Sequence, residues 1–187
     1  SRFPAPEEGQ TFQSLNTNQA IYFHRIGTPQ SADRLVYATP DQPRRGHSAQ
    51  LTDDGRFLVI TTTEGTDDRY EMTVIDLSQP TPTPRTLFAG LDHKWDLAGS
   101  DGTRLFFVTD KDAPRGRLVS VDAVTGNAST LTEVVAQRDA TLANVQRIGD
   151  RLILSYIGDA RSQAEMVDLS GRPVSRIALG TIGTASG

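Results

Sequence analysis

Residues 51–77, LTDDGRFLVITTTEGTDDRYEMTVIDL, form a phrase that the chain goes on to repeat. A turn signal, Asp54-Gly55, precedes an apolar run (RFLVITT), a polar loop and a shorter apolar run that closes on an aspartate (TVIDLS). The same order follows Asp101-Gly102 (TRLFFVT, then LVSVDAV) and Gly149-Asp150 (RLILSYI, then AEMVDLS). Gly55, Gly102 and Gly149 are spaced by 47 residues, and Asp76, Asp122 and Asp168 by 46. Asp-Gly between apolar runs marks a hairpin, because such turns need a positive φ that glycine adopts freely. A period of this length with four strand-like segments is the mark of a propeller blade. The chain is expected to be all-β: a β-propeller segment of about three and a half four-stranded blades.

Working outward, QAIYFHRIG (19–27) and DRLVYAT (33–39) read as two strands joined by the polar link GTPQSAD. They make a half blade over 1–43, before full blades at about 44–90, 91–137 and 138–180. Residues 181–187 then read as a link to a further blade. The second strand of each unit is apolar almost continuously, as expected of a strand covered on both faces. Ser78 to Pro84 (SQPTPTP) reads as a long turn whose three prolines keep it out of a ladder. Residues 132–139 could pass for a helix by propensity, but their place in the repeat predicts a strand. Because strand direction alternates, loops 64–69, 110–116 and 158–163 are expected at one rim, with 40–46 and the links near Gly90. Rim loops on a rigid scaffold commonly carry function. An open half-ring leaves two blade faces uncovered, which predicts a piece of something larger or self-association through those faces.

With 187 residues and a net charge of −4, the chain has one domain's length and no basic footprint for nucleic acid. No apolar run approaches a membrane span, and no cysteine is present for a disulfide, thiol nucleophile or Cys-type metal site. His24, His47 and His93 have no metal-ligand spacing, and no nucleophile elbow, Walker loop or dinucleotide fingerprint occurs. No metal, cofactor or catalytic residue is expected in this chain. Asp53, Asp54 and Asp101 read as hairpin turns, and Asp76, Asp122 and Asp168 as turn or inter-strand hydrogen-bonding residues. The lone Trp95, on a first strand, reads as structural, and Asn127-Ala-Ser129 is a sequon at a turn. Seventeen arginines against two lysines fit a bacterial coding bias, with a cytoplasmic or a periplasmic location both open.

The residues AIYFHRIGTPQSADRLVYATPD, followed by LTDDGRFLVITTTEGTDDRYEMTVIDL, resemble the propeller domain of the prolyl oligopeptidases. The likeness extends over nearly the whole chain and is densest in 20–77 and 95–121. It implies a seven-bladed propeller, of which this chain is the middle blades. It also implies a partner α/β-hydrolase domain whose Ser-Asp-His triad cleaves short peptides after proline. The propeller would gate that site by substrate size and dock the catalytic domain. The triad would lie outside this chain, leaving it inactive alone. The resemblance also implies substrate-pocket lining by Arg69 and Ile75. Ile75 stands where the family often has cysteine, strict alignment puts Glu71 at the arginine position, and Gly46 replaces a third, apolar, position. Rival readings are the propeller of a related peptidase, of the dipeptidyl or oligopeptidase B branch, and a stand-alone scaffold that offers its rim to a protein or peptide partner.

Overall fold

A computed structural model describes residues 1–5, 15–159 and 161–177, so the expected link at 181–187 lies outside the described residues. Two compact units divide the chain, Ser1–Asp92 and His93–Gly187. In the first, β1 (Ile21–Phe23) pairs with β2 (Arg34–Tyr37) across a short 3-10 turn at Gln30–Ala32. Then β3 (Arg45–Leu51), β4 (Phe57–Glu64), β5 (Glu71–Asp76) and β6 (Pro84–Phe88) form an antiparallel sheet in chain order. The second unit holds two more such sheets. One is β7 (Trp95–Asp101), β8 (Arg104–Thr109), β9 (Arg117–Asp122) and β10 (Thr132–Val135). The other is β11 (Thr141–Ile148), β12 (Arg151–Gly158), β13 (Arg161–Asp168) and β14 (Pro173–Ile177). Three four-stranded meanders and a two-stranded pair are the blades that the repeat predicts, and 132–135 is a strand.

The repeated glycines do what the pattern requires of them. Gly55, Gly102 and Gly149 have φ of +70°, +58° and +60°, a region closed to most L-residues, and each closes the hairpin between a first and a second strand. In the first sheet a threonine assists. Thr52 Oγ1 accepts from the Phe57 N–H at 3.0 Å and donates to Asp54 Oδ1 at 2.6 Å. In the other two sheets the turn shrinks to two residues, Gly102-Thr103 and Gly149-Asp150.

The second strands form the core. On β8 every residue from Leu105 to Thr109 is buried, so both faces are covered as expected. The prediction fails on β12, where burial alternates. Leu152, Leu154 and Tyr156 join Phe106, Val108, Leu118, Leu142 and Val145 in one core, whereas Ile157 is 45% exposed. Alternation of this kind belongs to a strand with a packed sheet on one face only. Each fully buried large side chain in that core contributes about 1.5–3 kcal/mol.

Two further expectations are corrected. Pro84 is not outside the ladder; it opens β6 opposite Ile75, and Pro173 likewise opens β14 opposite Val167. A proline at the first position of an outer strand removes an N–H that an edge leaves unpaired anyway. Within the polar stretch 158–163, Gly158 and Arg161 to Gln163 are strand and not loop. β12 and β13 run on until Gly158 faces Arg161, so Ser162 and Gln163 are strand residues. No helix among the described residues is long and apolar enough to cross a membrane.

Candidate functional site

At one end of the first unit, β3 begins where β4 ends, with Arg45 opposite Glu64. The connection leading into β3, the loop between β4 and β5, and Gly90 after β6 therefore meet there. A largely buried ion pair ties them together. Arg45 donates from a terminal guanidinium nitrogen to Glu71 Oε1 at 3.2 Å, and Glu71 Oε2 accepts from the Gly90 N–H at 3.2 Å. Beside it lies a cleft of about 250 Å³ lined by Gln42, Pro43, Arg44, Arg45 and Glu64. Two residues further along β3, the buried His47 ring bridges Thr39 and Thr62 hydroxyls, each at 3.0 Å, and meets the Tyr37 ring edge-on. Burial, with help from Arg45, lowers the His47 pKa, so the ring stays neutral and serves as a clasp between β2 and the sheet.

Arg69 stands in this rim loop, two residues before β5. Its side chain, 52% exposed, forks onto the Asp67 carboxylate, with Nε 2.8 and 3.0 Å from the two oxygens. The guanidinium holds Asp67 down at about 2, and the carboxylate raises the arginine in turn. Arg69 is thus paired within its own loop. Ile75, the fifth residue of β5, is 3% exposed between Leu58 and Pro84. At about 3.3 Å per residue it lies roughly 13 Å along the strand from Glu71. The fold does not bring Arg69 and Ile75 together. Glu71 begins β5 and presents its carboxylate to Arg45, and Gly46 leaves only close approach to Gln19 and Thr63 side-chain oxygens. Sequence reasoning missed Arg45. Its signal was an opposite charge at the start of each strand flanking β4.

The other polar residues that the sequence singles out do local work. Asp76, Asp122 and Asp168 each accept from the backbone N–H of the turn that follows, through Ser78 at 3.0 Å, Val124 at 2.9 Å and Ser170 at 2.8 Å. His24 faces Asp33 at 2.7 Å and His93 faces Asp110 at 3.4 Å. Trp95 is buried edge-on to Phe107. Among the described residues no group of three or more His, Cys, Asp or Glu is placed to hold a metal ion.

Comparison with known proteins gives this rim a context. The family model for the prolyl oligopeptidase N-terminal β-propeller domain matches residues 1–187. The chain belongs to that family. It is 33% identical to the prolyl endopeptidase of Elizabethkingia meningoseptica and 31% identical to that of Elizabethkingia miricola, over 187 residues each. It covers 26% of the length of both relatives. A solved structure from work on two prolyl endopeptidases superposes with a TM-score of 0.86 at 40% identity, over 94% of this chain and 26% of that one. Prolyl oligopeptidase B of Galerina marginata, bound to a 25-residue macrocyclization substrate, superposes with a TM-score of 0.90 over 99% of this chain and 26% of its own. At 20% identity that likeness speaks for the fold alone. The all-β, four-stranded architecture is therefore a segment of the prolyl oligopeptidase propeller.

Proposed function

We propose that this propeller segment covers the active site of a prolyl oligopeptidase-type serine endopeptidase that cleaves short peptides after proline. In this reading it docks on an α/β-hydrolase domain carrying the Ser-Asp-His triad, and its rim limits substrate size. The observation that carries the reading is the 33% identity to a prolyl endopeptidase, sustained along all 187 residues. The side chains at the rim support a positional role more than a chemical one. His47 is engaged by two threonines, and Arg45 and Glu71 brace three chain segments against one another. Bond cleavage then belongs to the partner domain, and Arg69 is the rim side chain that would meet a peptide, on release from Asp67.

The test uses the full-length protein. It should hydrolyse a Z-Gly-Pro chromogenic peptide and leave the same Gly-Pro sequence intact within a folded protein. Arg69→Ala should raise KM for the short peptide with no measurable shift in Tm, since an exposed ion pair adds little to stability. Failure to cleave after proline would overturn the peptidase reading. An unchanged KM would return Arg69 to a purely local role.

A further inference from the structure

Two hairpins of this chain carry the dipeptide Asp-Gly, Asp54-Gly55 and Asp101-Gly102, and both lie exposed to solvent. Such a pair is reactive wherever it is free. The glycine nitrogen stands next in the chain to the aspartate carboxyl, with no Cβ of its own residue to hinder the approach. The two dipeptides are alike as sequence, and the fold sets them apart.

At Asp54 both reacting groups are held. Oδ1 accepts from the Thr52 hydroxyl at 2.6 Å and from the Arg56 N–H at 3.0 Å. The nucleophile is tied as well, since the Gly55 N–H donates to the Thr52 carbonyl at 2.8 Å. The same two donors, the Thr52 hydroxyl foremost, hold the Asp54 carboxyl below the usual carboxylate range. It therefore lacks the proton with which its oxygen would leave as water. At Asp101 neither group is held in this way. The turn is closed by the ladder pair of Asp101 with Arg104, and Thr103 Oγ1 donates away from it, to Asp122 at 2.6 Å. Among the described residues no acceptor meets the Gly102 N–H. The Asp101 side chain is 52% exposed, and the Arg147 guanidinium stands 3.8 Å away, beyond hydrogen-bond range. An added Cβ on Gly102 would meet nothing within 4 Å, so water has open access there.

We propose that Asp101-Gly102 is a site of spontaneous isoaspartate formation and that Asp54-Gly55 is spared. The Gly102 nitrogen bonds to Asp101 Cγ, its proton and the carboxyl hydroxyl leave together as one water, and a succinimide closes. A second water opens the ring at the main-chain carbonyl, breaking its bond to the nitrogen. The chain then runs through Cγ, one carbon longer, and the former α-carboxyl becomes the side group. Water is the only co-reactant. The altered turn joins β7 to β8, whose residues Leu105 to Thr109 are all buried, so the change acts on the core as well as the surface. Nothing in the proposal requires cleavage after proline.

Ageing the full-length protein in warm neutral buffer made with heavy-oxygen water tests it. Peptide mapping should find isoaspartate and heavy oxygen at 101 at least about tenfold above 54, the rate ratio that one or two net hydrogen bonds produce. In the chain unfolded in guanidinium the two sites should react alike. Asp101→Glu, whose carboxyl lies one carbon too far for this ring, should abolish the modification, and Thr52→Val should raise the yield at 54. Equal yields at the two sites of the folded protein overturn the proposal, as does a folded protein without isoaspartate at 101. An excess at 101 that persists in guanidinium, or a yield at 54 that Thr52→Val leaves unchanged, overturns the fold as the cause.

Discussion

The two ends of these blades obey different rules. At the hairpin end, each sheet uses the same parts: a glycine with positive φ and an aspartate that accepts from the following turn. All three carboxyls are held below the usual carboxylate range, Asp76 chiefly by Arg56, Asp122 by Thr103 and Asp168 by Ser170. At the rim end, equivalent cross-strand pairs differ, being His47 with Thr62, Trp95 with Thr109, and Leu142 with Tyr156, with only the threonine of the first two in common. A turn dictates backbone geometry, and few residues satisfy it. A strand end dictates only that its side chains pack and pair, which many combinations achieve. The rim is therefore where one blade can differ from the next without loss of fold.

The comparison breaks first at Gly171, in the turn between β13 and β14. Its φ is +85°, and an added Cβ would fall inside van der Waals contact with the Val134 carbonyl oxygen. Gly149 has φ of +60° with open space around the same position. Gly149→Ala should cost about 1–2 kcal/mol, the strain of a left-handed residue alone. Gly171→Ala adds a clash with backbone and should cost about 3 kcal/mol or more in urea unfolding. Equal losses would mean that the turn end is set by local conformation and not by contact with β10.

The rim end gives the next test. His47→Ala removes a buried ring, leaves the Thr39 and Thr62 hydroxyls without their partner, and should cost about 2–3 kcal/mol. Thr62→Val removes the matching hydroxyl and should cost about 1 kcal/mol. If the double variant cost no more than His47→Ala alone, the clasp would act as one unit. Simple additivity would mean that packing of the ring, not its hydrogen bonds, holds β2 to the sheet.

This asymmetry also sorts what could be read in advance. The repeat was legible because hairpins restrict their residues to glycine and aspartate, and because β8 carries both faces of a core on one apolar run. Pro84 and the stretch 158–163 were misread because composition cannot tell an outer strand or a solvent-facing strand end from a loop; cross-strand pairing decides both. Arg69 was legible as a rim residue, but its closure onto Asp67 depends on loop backbone that no pattern encodes. The contrast between Asp54 and Asp101 was invisible for a further reason. Both precede a glycine, and only the fold shows that Thr52 and Arg56 donate to the first while the second is left to solvent and Arg147.

The smallest effect tests whether the hairpin-end aspartates act through charge or through shape. An unfolded aspartate titrates near about 3.9. In the fold, the Thr103 hydroxyl and the N–H groups of Val124 and Thr125 hold Asp122 at about 2 despite partial desolvation. The fold thus favours the charged form. Its contribution is complete above about pH 4 and is lost as pH falls through about 2. Asp122→Asn keeps an acceptor oxygen for the turn but carries no charge, so it should cost about 1 kcal/mol at pH 7, limited by solvent screening. The gap between the two unfolding curves should close between about pH 4 and pH 2. A gap that persisted unchanged at the acid end would assign the residue's effect to turn geometry. The resemblance among the three aspartates would then be one of shape, with their shared charge incidental.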